Sequence, residues 1–143
     1  MIEVQLNHKS GKAKNKIFYQ KYSDKAARIL KIKKNYYLSL AIVSASEMKK
    51  LNRLYRKKNS VTDVLSFSEK ETRGFLVEPD YLGEIVICLS QAEKQSRQRK
   101  IKLSEELAHL FAHGLLHLIG FNHQREKEAK KMANLEKKIT LIK

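Results

Sequence analysis

The chain has 143 residues with a formal net charge of +15, and 42% of its residues are hydrophobic. That length fits one domain with one hydrophobic core, and no apolar run reaches the roughly 18–20 residues that span a membrane. The first residues lack the apolar segment of a signal peptide, and the only cysteine, Cys88, excludes an intrachain disulfide. We therefore expect a soluble, cytoplasmic protein with no membrane partner.

Apolar periodicity and turn residues divide the chain into ten predicted elements, in the order β-α-β-α-β-β-β-α-α-α. They are a strand at 2–6, a helix at 16–32, a strand at 36–43, a helix at 45–56, strands at 64–67, 75–77 and 82–89, and helices at 91–99, 105–119 and 124–139. This order indicates an α/β (α+β) fold. We expect a single domain over residues 1–143, with a mixed sheet of about four or five strands.

Several helix ends are marked by residues that can satisfy unpaired backbone groups. Ser44 and Glu47 form the S-x-x-E pattern of a capping box. We expect Ser90 and Ser104 to accept hydrogen bonds at the starts of the next two helices. Gly120 is expected to end the helix that precedes it, since glycine tolerates the left-handed backbone beyond a last turn.

Helical spacing also predicts which faces of the first two helices point inward. The residues at these spacings are Phe18, Tyr22, Ala26, Ile29 and Leu30 on the first helix, and Met48, Leu51 and Tyr55 on the second. Both helices are therefore expected to pack one apolar face on the sheet.

The positive charge is concentrated in the first part of the chain. Residues 1–60 hold 16 basic and 3 acidic residues, whereas residues 61–100 hold 6 and 7. This asymmetry is typical of a surface that binds a polyanion, most simply nucleic acid, although lysines can also serve solubility alone. The candidates for phosphate contacts are Lys31, Lys33, Lys34, Lys49, Lys50, Arg53, Lys57 and Lys58. Tyr36 and Tyr37 can stack on bases, but on an apolar strand we expect them in the core.

Four of the five histidines lie between residues 109 and 123. His113 and His117 are four residues apart on a predicted helix, so their imidazoles share one face and can bind one cation. The turn at Gly120 brings His123 back towards them. Three histidine ligands leave one tetrahedral position open, as in catalytic zinc sites. A third helical ligand at His109 would be strained, so we expect His109 on the helix face or in hydrogen-bond contact with a ligand.

The segment from His113 to His123 reads HGLLHLIGFNH. It resembles the H-G-x-L-H-L-x-G-[YF]-D-H signature of the YbeY family, bacterial zinc-dependent endoribonucleases of ribosomal RNA maturation. Two upstream stretches are also similar to the family: LNRLYR followed by TDVLSF in residues 51–67, and LGEIVI in residues 82–87. The resemblance covers roughly residues 38–140. It departs from the family at Asn122 and at Glu84, where Asp is usual.

The resemblance implies His113, His117 and His123 as ligands of one zinc ion and Arg56 as the functional arginine. It also implies single-strand-specific RNA cleavage in ribosomal RNA maturation and ribosome quality control, with ribosomal RNA and ribosomal particles or proteins as partners and no DNA. Zinc lowers the pKa of its bound water towards about 7, and the guanidinium of Arg56 can clamp two phosphate oxygens. Zinc-bound water and Arg56 would then act at the scissile phosphate, with the ribose 2′-OH as an alternative nucleophile.

Two other functions are compatible with the same residues. One is a noncatalytic RNA- or ribosome-binding assembly factor with a zinc site, and the other is a different metal-dependent hydrolase such as a zinc peptidase. Peptidases of the H-E-x-x-H type carry a general-base glutamate after the first ligand, and Gly114 occupies that position here. Asp63 is compatible with acid–base chemistry and equally with a turn cap beside Thr62.

Overall fold

The computed structural model describes residues 1–7, 11–69 and 78–141. It contains four strands, a 3₁₀ turn at Gly11–Ala13 and five α-helices within these residues. The strands are β1 (Ile2–Asn7), β2 (Tyr36–Val43), β3 (Val64–Ser68) and β4 (Tyr81–Cys88), and the helices are α1 (Lys16–Ile29), α2 (Ala45–Arg56), α3 (Leu89–Arg99), α4 (Leu103–Ile119) and α5 (Glu126–Thr140). The predicted strand at 75–77 lies outside the described residues.

The strands form one mixed sheet in the order β1-β2-β4-β3. Strands β1, β2 and β4 are parallel, and β3 pairs antiparallel with β4 at the edge of the sheet. The α+β class and the mixed sheet predicted from the pattern of elements are confirmed. No helix in the described part of the chain has the length and apolar character needed to cross a lipid bilayer.

Hydrophobic clusters of different size cover the two faces of the sheet. The larger cluster contains Ile85 and Ile87 of β4 together with Leu115 of α4, and it extends onto α1 and α5. The smaller one contains Val86 of β4 and Met48 of α2. Side chains of a strand alternate between faces, so α4 and α2 lie on opposite sides of the sheet.

Two predicted N-caps are wrong. Helix α3 begins at Leu89 with Cys88 at its N-cap, so Ser90 already lies in the first turn. Strand β4 continues directly into this helix and leaves no loop in which a serine cap can form. Helix α4 begins at Leu103, two residues earlier than predicted, and Ser104 lies inside it. Leu103 packs against the larger cluster, which favours this earlier start.

The inward faces of α1 and α2 also differ from the prediction. On α1 the fully buried aromatic residue is Tyr19 rather than Phe18. The Tyr19 hydroxyl donates a 2.6 Å hydrogen bond to the carbonyl of Ala13, so its polar end is satisfied inside the protein. On α2 Met48 is buried as expected, but Tyr55 is 56% exposed. Tyr55 lies in the last turn of α2, and its ring contacts Phe67 of the smaller cluster from the outside.

Candidate metal centre

Helix α4 places two of the predicted ligands on its surface because the rest of it is anchored in the core. Nine of its residues are buried, and His113 and His117 project from the same side at half-buried positions. Gly120 ends the helix with a φ of 118°, a conformation that residues with a Cβ rarely adopt. The chain therefore reverses after α4 as predicted, and His123 returns towards the two helical histidines.

The three histidines form one group of potential ligand atoms. One nitrogen from each of His113, His117 and His123 lies within 4.8 Å of the other two. The Nε2 atoms of His113 and His117 are 3.1 Å apart. Two nitrogens bound tetrahedrally to one zinc ion at its usual bond lengths lie about 3.3 Å apart. The spacing of these two nitrogens thus fits a shared cation.

Hydrogen bonds to the other ring nitrogens determine where the imidazole protons lie. Nδ1 of His113 is 2.5 Å from the carboxylate of Glu136, and Nδ1 of His117 is 3.0 Å from the carbonyl of Phe121. Both partners are acceptors, so each Nδ1 must be the donor. In the neutral rings the two Nε2 atoms then carry lone pairs that face each other across 3.1 Å, an arrangement that a cation between them stabilises.

Glu136 is a member of this site that the sequence analysis missed. It is 7% exposed, and its second carboxylate oxygen lies 3.6 Å from Nδ1 of His109. His109 therefore faces the carboxylate that orients His113, as expected for a residue outside the ligand group. A signal for Glu136 existed in the sequence, since Met132, Glu136 and Ile139 share the buried face of α5, and a carboxylate in such a stripe requires a partner.

The surroundings of the His117 ring favour its neutral form. Burial lowers the pKa of the His117 imidazole, and the neighbouring His113 and His123 lower this pKa further. The hydrogen bond to Phe121 acts in the opposite direction but is outweighed. Because a neutral imidazole is the ligand form, the surroundings of His117 favour coordination at neutral pH.

The histidine group opens into a cavity of about 680 Å³. Its walls come from α4, from the segment after Gly120 and from β3, and Arg56 and Lys58 line it from the end of α2. Arg56 donates from Nη2 to the Ser66 carbonyl at 2.8 Å. Its guanidinium carbon lies 4.7 Å from the centre of the Phe67 ring. The structure thus brings the predicted arginine to the same cavity as the histidines.

Gly114, Asp63 and Asn122 also line this cavity. A Cβ on Gly114 would lie 2.8 Å from Cγ2 of Ile85, so the glycine permits α4 to pack closely on β4. Asp63 accepts from the backbone N–H of Val64 at 2.7 Å and from Gln95 at 3.2 Å. Both carboxylate oxygens of Asp63 thus accept a hydrogen bond at the border of the cavity. The Asn122 side chain accepts a 3.4 Å hydrogen bond from the N–H of Gln124.

Among the described residues no fourth histidine, cysteine or carboxylate joins the ligand group. Three histidine ligands in an open cavity are typical of catalytic rather than structural metal sites. The fold and the site together therefore define a candidate metal-dependent hydrolase.

Comparisons with known proteins identify the family. The sequence profile described as "Endoribonuclease YbeY" matches residues 2–141. The chain is 42% identical over 108 residues to the Endoribonuclease YbeY of Phytoplasma australiense, a match covering 76% of this chain and 75% of the relative. It is 39% identical over 145 residues to that of Buchnera aphidicola, covering 99% of this chain and 89% of the relative. The chain belongs to the YbeY family.

A solved structure supports the same fold. A protein of Thermotoga maritima, known from a solution structure, superposes with a TM-score of 0.61 at 27% sequence identity. The match covers 97% of this chain and 89% of the other. The family relationship therefore extends to the first 35 residues, in which the sequence alone carried no recognisable motif.

Proposed function

We propose that this protein is a zinc-dependent endoribonuclease that cleaves single-stranded RNA during ribosomal RNA maturation in the cytoplasm. The observation that carries the proposal is the pair of Nε2 atoms of His113 and His117, 3.1 Å apart with both Nδ1 protons engaged elsewhere. Together with His123 they would hold the zinc ion. When bound, a zinc ion supplies Lewis acidity at a phosphoryl oxygen and lowers the pKa of a water molecule.

Arg56 is proposed as the residue that binds the scissile phosphate. Its contacts with the Ser66 carbonyl and the Phe67 ring orient the guanidinium at the border of the cavity. A guanidinium has five N–H donors in one plane, which suits two phosphate oxygens at once. Lys58 on the same border adds positive charge, and the net charge of +15 adds long-range attraction for RNA.

The proposed RNA substrate agrees with the names of the relatives, which are endoribonucleases. Ribosomal RNA, and ribosomal particles that present it, are the partners that we propose for this chain. A peptidase function lacks support at the cavity, because Gly114 occupies the position at which H-E-x-x-H peptidases carry their glutamate.

The test measures RNA cleavage and zinc binding in two alanine variants and one matched control variant, all without a histidine tag. We expect chelation to abolish cleavage of a single-stranded RNA and added zinc to restore it. His117→Ala should abolish both cleavage and stoichiometric zinc binding. Arg56→Ala should lower kcat about 10²–10³-fold, as for other lost transition-state donors, and leave zinc binding intact. Arg97→Ala removes the same charge from an exposed position of α3 and should retain most activity.

Two results would contradict the proposal. Cleavage that persists in chelator and in both His117→Ala and Arg56→Ala would identify a contaminating nuclease. RNA binding without cleavage under any metal would identify a noncatalytic assembly factor instead.

A further inference from the structure

A second cavity, of about 330 Å³, lies next to the metal cavity. Its floor is apolar and consists of Leu82 at the start of β4, Leu118 and Ile119 at the end of α4, and Ile32 before β2. Sites for small ligands occupy about 300–1,000 Å³. This cavity therefore has room for one flat ring system and not for a folded partner.

The two cavities share one wall. Leu118 lines both of them, and it packs against β4 at Gly83, where a Cβ would come within 3.0 Å of Leu118 Cδ2. Within the described residues the two cavities therefore meet at the Leu118 side chain. This continuity argues that both cavities serve the same ligand.

The rim of the second cavity combines an aromatic ring with cations. Tyr36, Lys33 and Lys34 line it, and Nζ of Lys34 lies 5.4 Å from the centre of the Tyr36 ring. Lys34 is paired with Asp80 at 3.3 Å, whereas Lys33 is exposed and has no acidic partner within the described ranges. An apolar floor, an aromatic wall and a cation beside them match the base and the phosphate of one nucleotide.

We propose that this second cavity binds one unpaired base of the RNA strand that is cleaved, with Lys33 at a backbone phosphate. This inference rests on the proposed function, since it takes the metal cavity as the place of the scissile phosphate. A base inside a duplex cannot leave its stack and enter the cavity without the cost of unpairing. The cavity therefore gives a physical reason for a preference for single strands.

The test is a scan of one short single-stranded RNA in which each nucleotide in turn is replaced by an abasic ribose. Binding is measured by fluorescence anisotropy on the metal-free protein, so that cleavage does not interfere. Base loss at one position near the cleavage site should weaken binding roughly 5- to 100-fold, the usual worth of one stacked base. Base loss elsewhere in the strand should have a much smaller effect.

Variants link that position to the cavity. Tyr36→Leu keeps the wall apolar but removes the ring, and it should bind intact and abasic strands almost equally. Its control is Tyr37→Leu, since Tyr37 packs on Tyr81 outside the cavity and its loss should preserve the position dependence. Lys33→Gln, at an exposed site that does not threaten folding, should lower the salt slope of binding by about 0.7. Lys94→Gln, at an exposed position of α3, should leave that slope unchanged.

Each result decides one of the two proposals. If base loss weakens binding equally at every position, the base-binding assignment is overturned, even if cleavage is metal-dependent. That result is also expected if the cavity binds an apolar side chain of a protein. Position dependence that survives in Tyr36→Leu would overturn it too. Position-dependent binding that disappears in Tyr36→Leu, in a protein that never cleaves RNA, would support the assignment and reject the proposed catalysis.

Discussion

Helices α4 and α2 lie on opposite faces of the same sheet, and both contribute to the metal cavity in different ways. Helix α4 has nine buried residues, whereas α2 has two, Met48 and Asn52. The histidines on α4 are therefore held by the main core. Arg56, at the end of α2, is oriented by a carbonyl and a ring of the edge strand β3. The candidate metal ligands are therefore fixed by core packing, whereas Arg56, the proposed phosphate contact, is held by a few polar and ring contacts.

The largest expected effect concerns Gly83 of β4, where the backbone of β3 and a side chain of α4 both approach closely. A Cβ at this position would lie 2.1 Å from the Phe67 carbonyl oxygen and 3.0 Å from Leu118, and the φ of Gly83 is +133°. Gly83→Ala should therefore lower the free energy of unfolding by about 2–5 kcal/mol, through steric overlap and backbone strain together. Urea denaturation of the two proteins measures this difference.

Gly120→Ala is the matched control for this substitution. Gly120 has a φ of +118° but no atom within 4 Å of its ideal Cβ position. Only backbone strain remains, so Gly120→Ala should lower the free energy of unfolding by about 1–2 kcal/mol. Equal losses at the two glycines would mean that the close approach of Phe67 and Leu118 to Gly83 contributes nothing beyond backbone strain.

The next effect concerns metal affinity. Glu136→Gln weakens the acceptor that orients His113 through Nδ1. Loss of such a contact to a ligand typically lowers metal affinity 10- to 100-fold, and we expect a change of that size for zinc in a chelator competition. The unfolding free energy of the metal-free protein should change far less than in Gly83→Ala.

Glu126→Gln is the control, since this substitution removes the same charge from an exposed position of α5. Its zinc affinity should equal that of the unchanged protein. An unaltered affinity in Glu136→Gln would show that the α4 core alone orients His113.

The third effect concerns RNA cleavage and depends on the loop that follows Arg56 at the end of α2. The buried side chain of Asn52 donates a 3.0 Å hydrogen bond to the Ser60 carbonyl and so holds the loop that follows Arg56. Asn52→Ala should cost about 1–2 kcal/mol of stability, because it leaves that carbonyl without its partner. It should also reduce RNA cleavage several-fold while zinc affinity stays unchanged.

Asn59→Ala, at an exposed position of the same loop, should leave stability and cleavage close to those of the unchanged protein. If Asn52→Ala lowered zinc affinity as much as cleavage, the loop after Arg56 would also support the histidine group, and α2 and α4 would not act independently.

The features that could be predicted from sequence are those that depend on neighbouring residues. Strand β2 has the predicted bounds, Tyr36–Val43, because an unbroken apolar, β-branched run signals a buried strand. The histidine group was predictable because its three members lie within eleven residues and are joined by a helix and a glycine turn. The N-cap half of the predicted capping box also forms, with Oγ of Ser44 accepting from the Glu47 N–H at 3.2 Å.

The features that could not be predicted depend on distant parts of the chain. Glu136 meets His113 across 23 residues, and helical spacing within α5 carries no information about which helix lies opposite. Tyr55 was wrongly predicted to be buried: its ring contacts Phe67 of β3 but stays 56% exposed, and the periodicity of α2 does not reveal how much of the ring β3 covers. The cavity beyond Leu118 combines residues from the segment before β2, the start of β4 and the end of α4, so only the tertiary structure reveals it.

The smallest expected effect tests how completely α2 covers its face of the sheet. Glu84 lies two residues before Val86 on β4, on the α2 side, and its partial burial raises the pKa of its carboxyl above the ordinary 4.5. A raised pKa means that the folded protein binds the proton more tightly, so stability falls as pH rises from the unfolded to the folded pKa. Glu84→Gln should therefore stabilise the protein at pH 7, by less than about 1 kcal/mol because solvent screens a half-exposed group. Urea denaturation at pH 7 and near pH 4 should give a difference only at the higher pH, and a loss of stability at pH 7 would mean that the carboxylate has a favourable partner on this face.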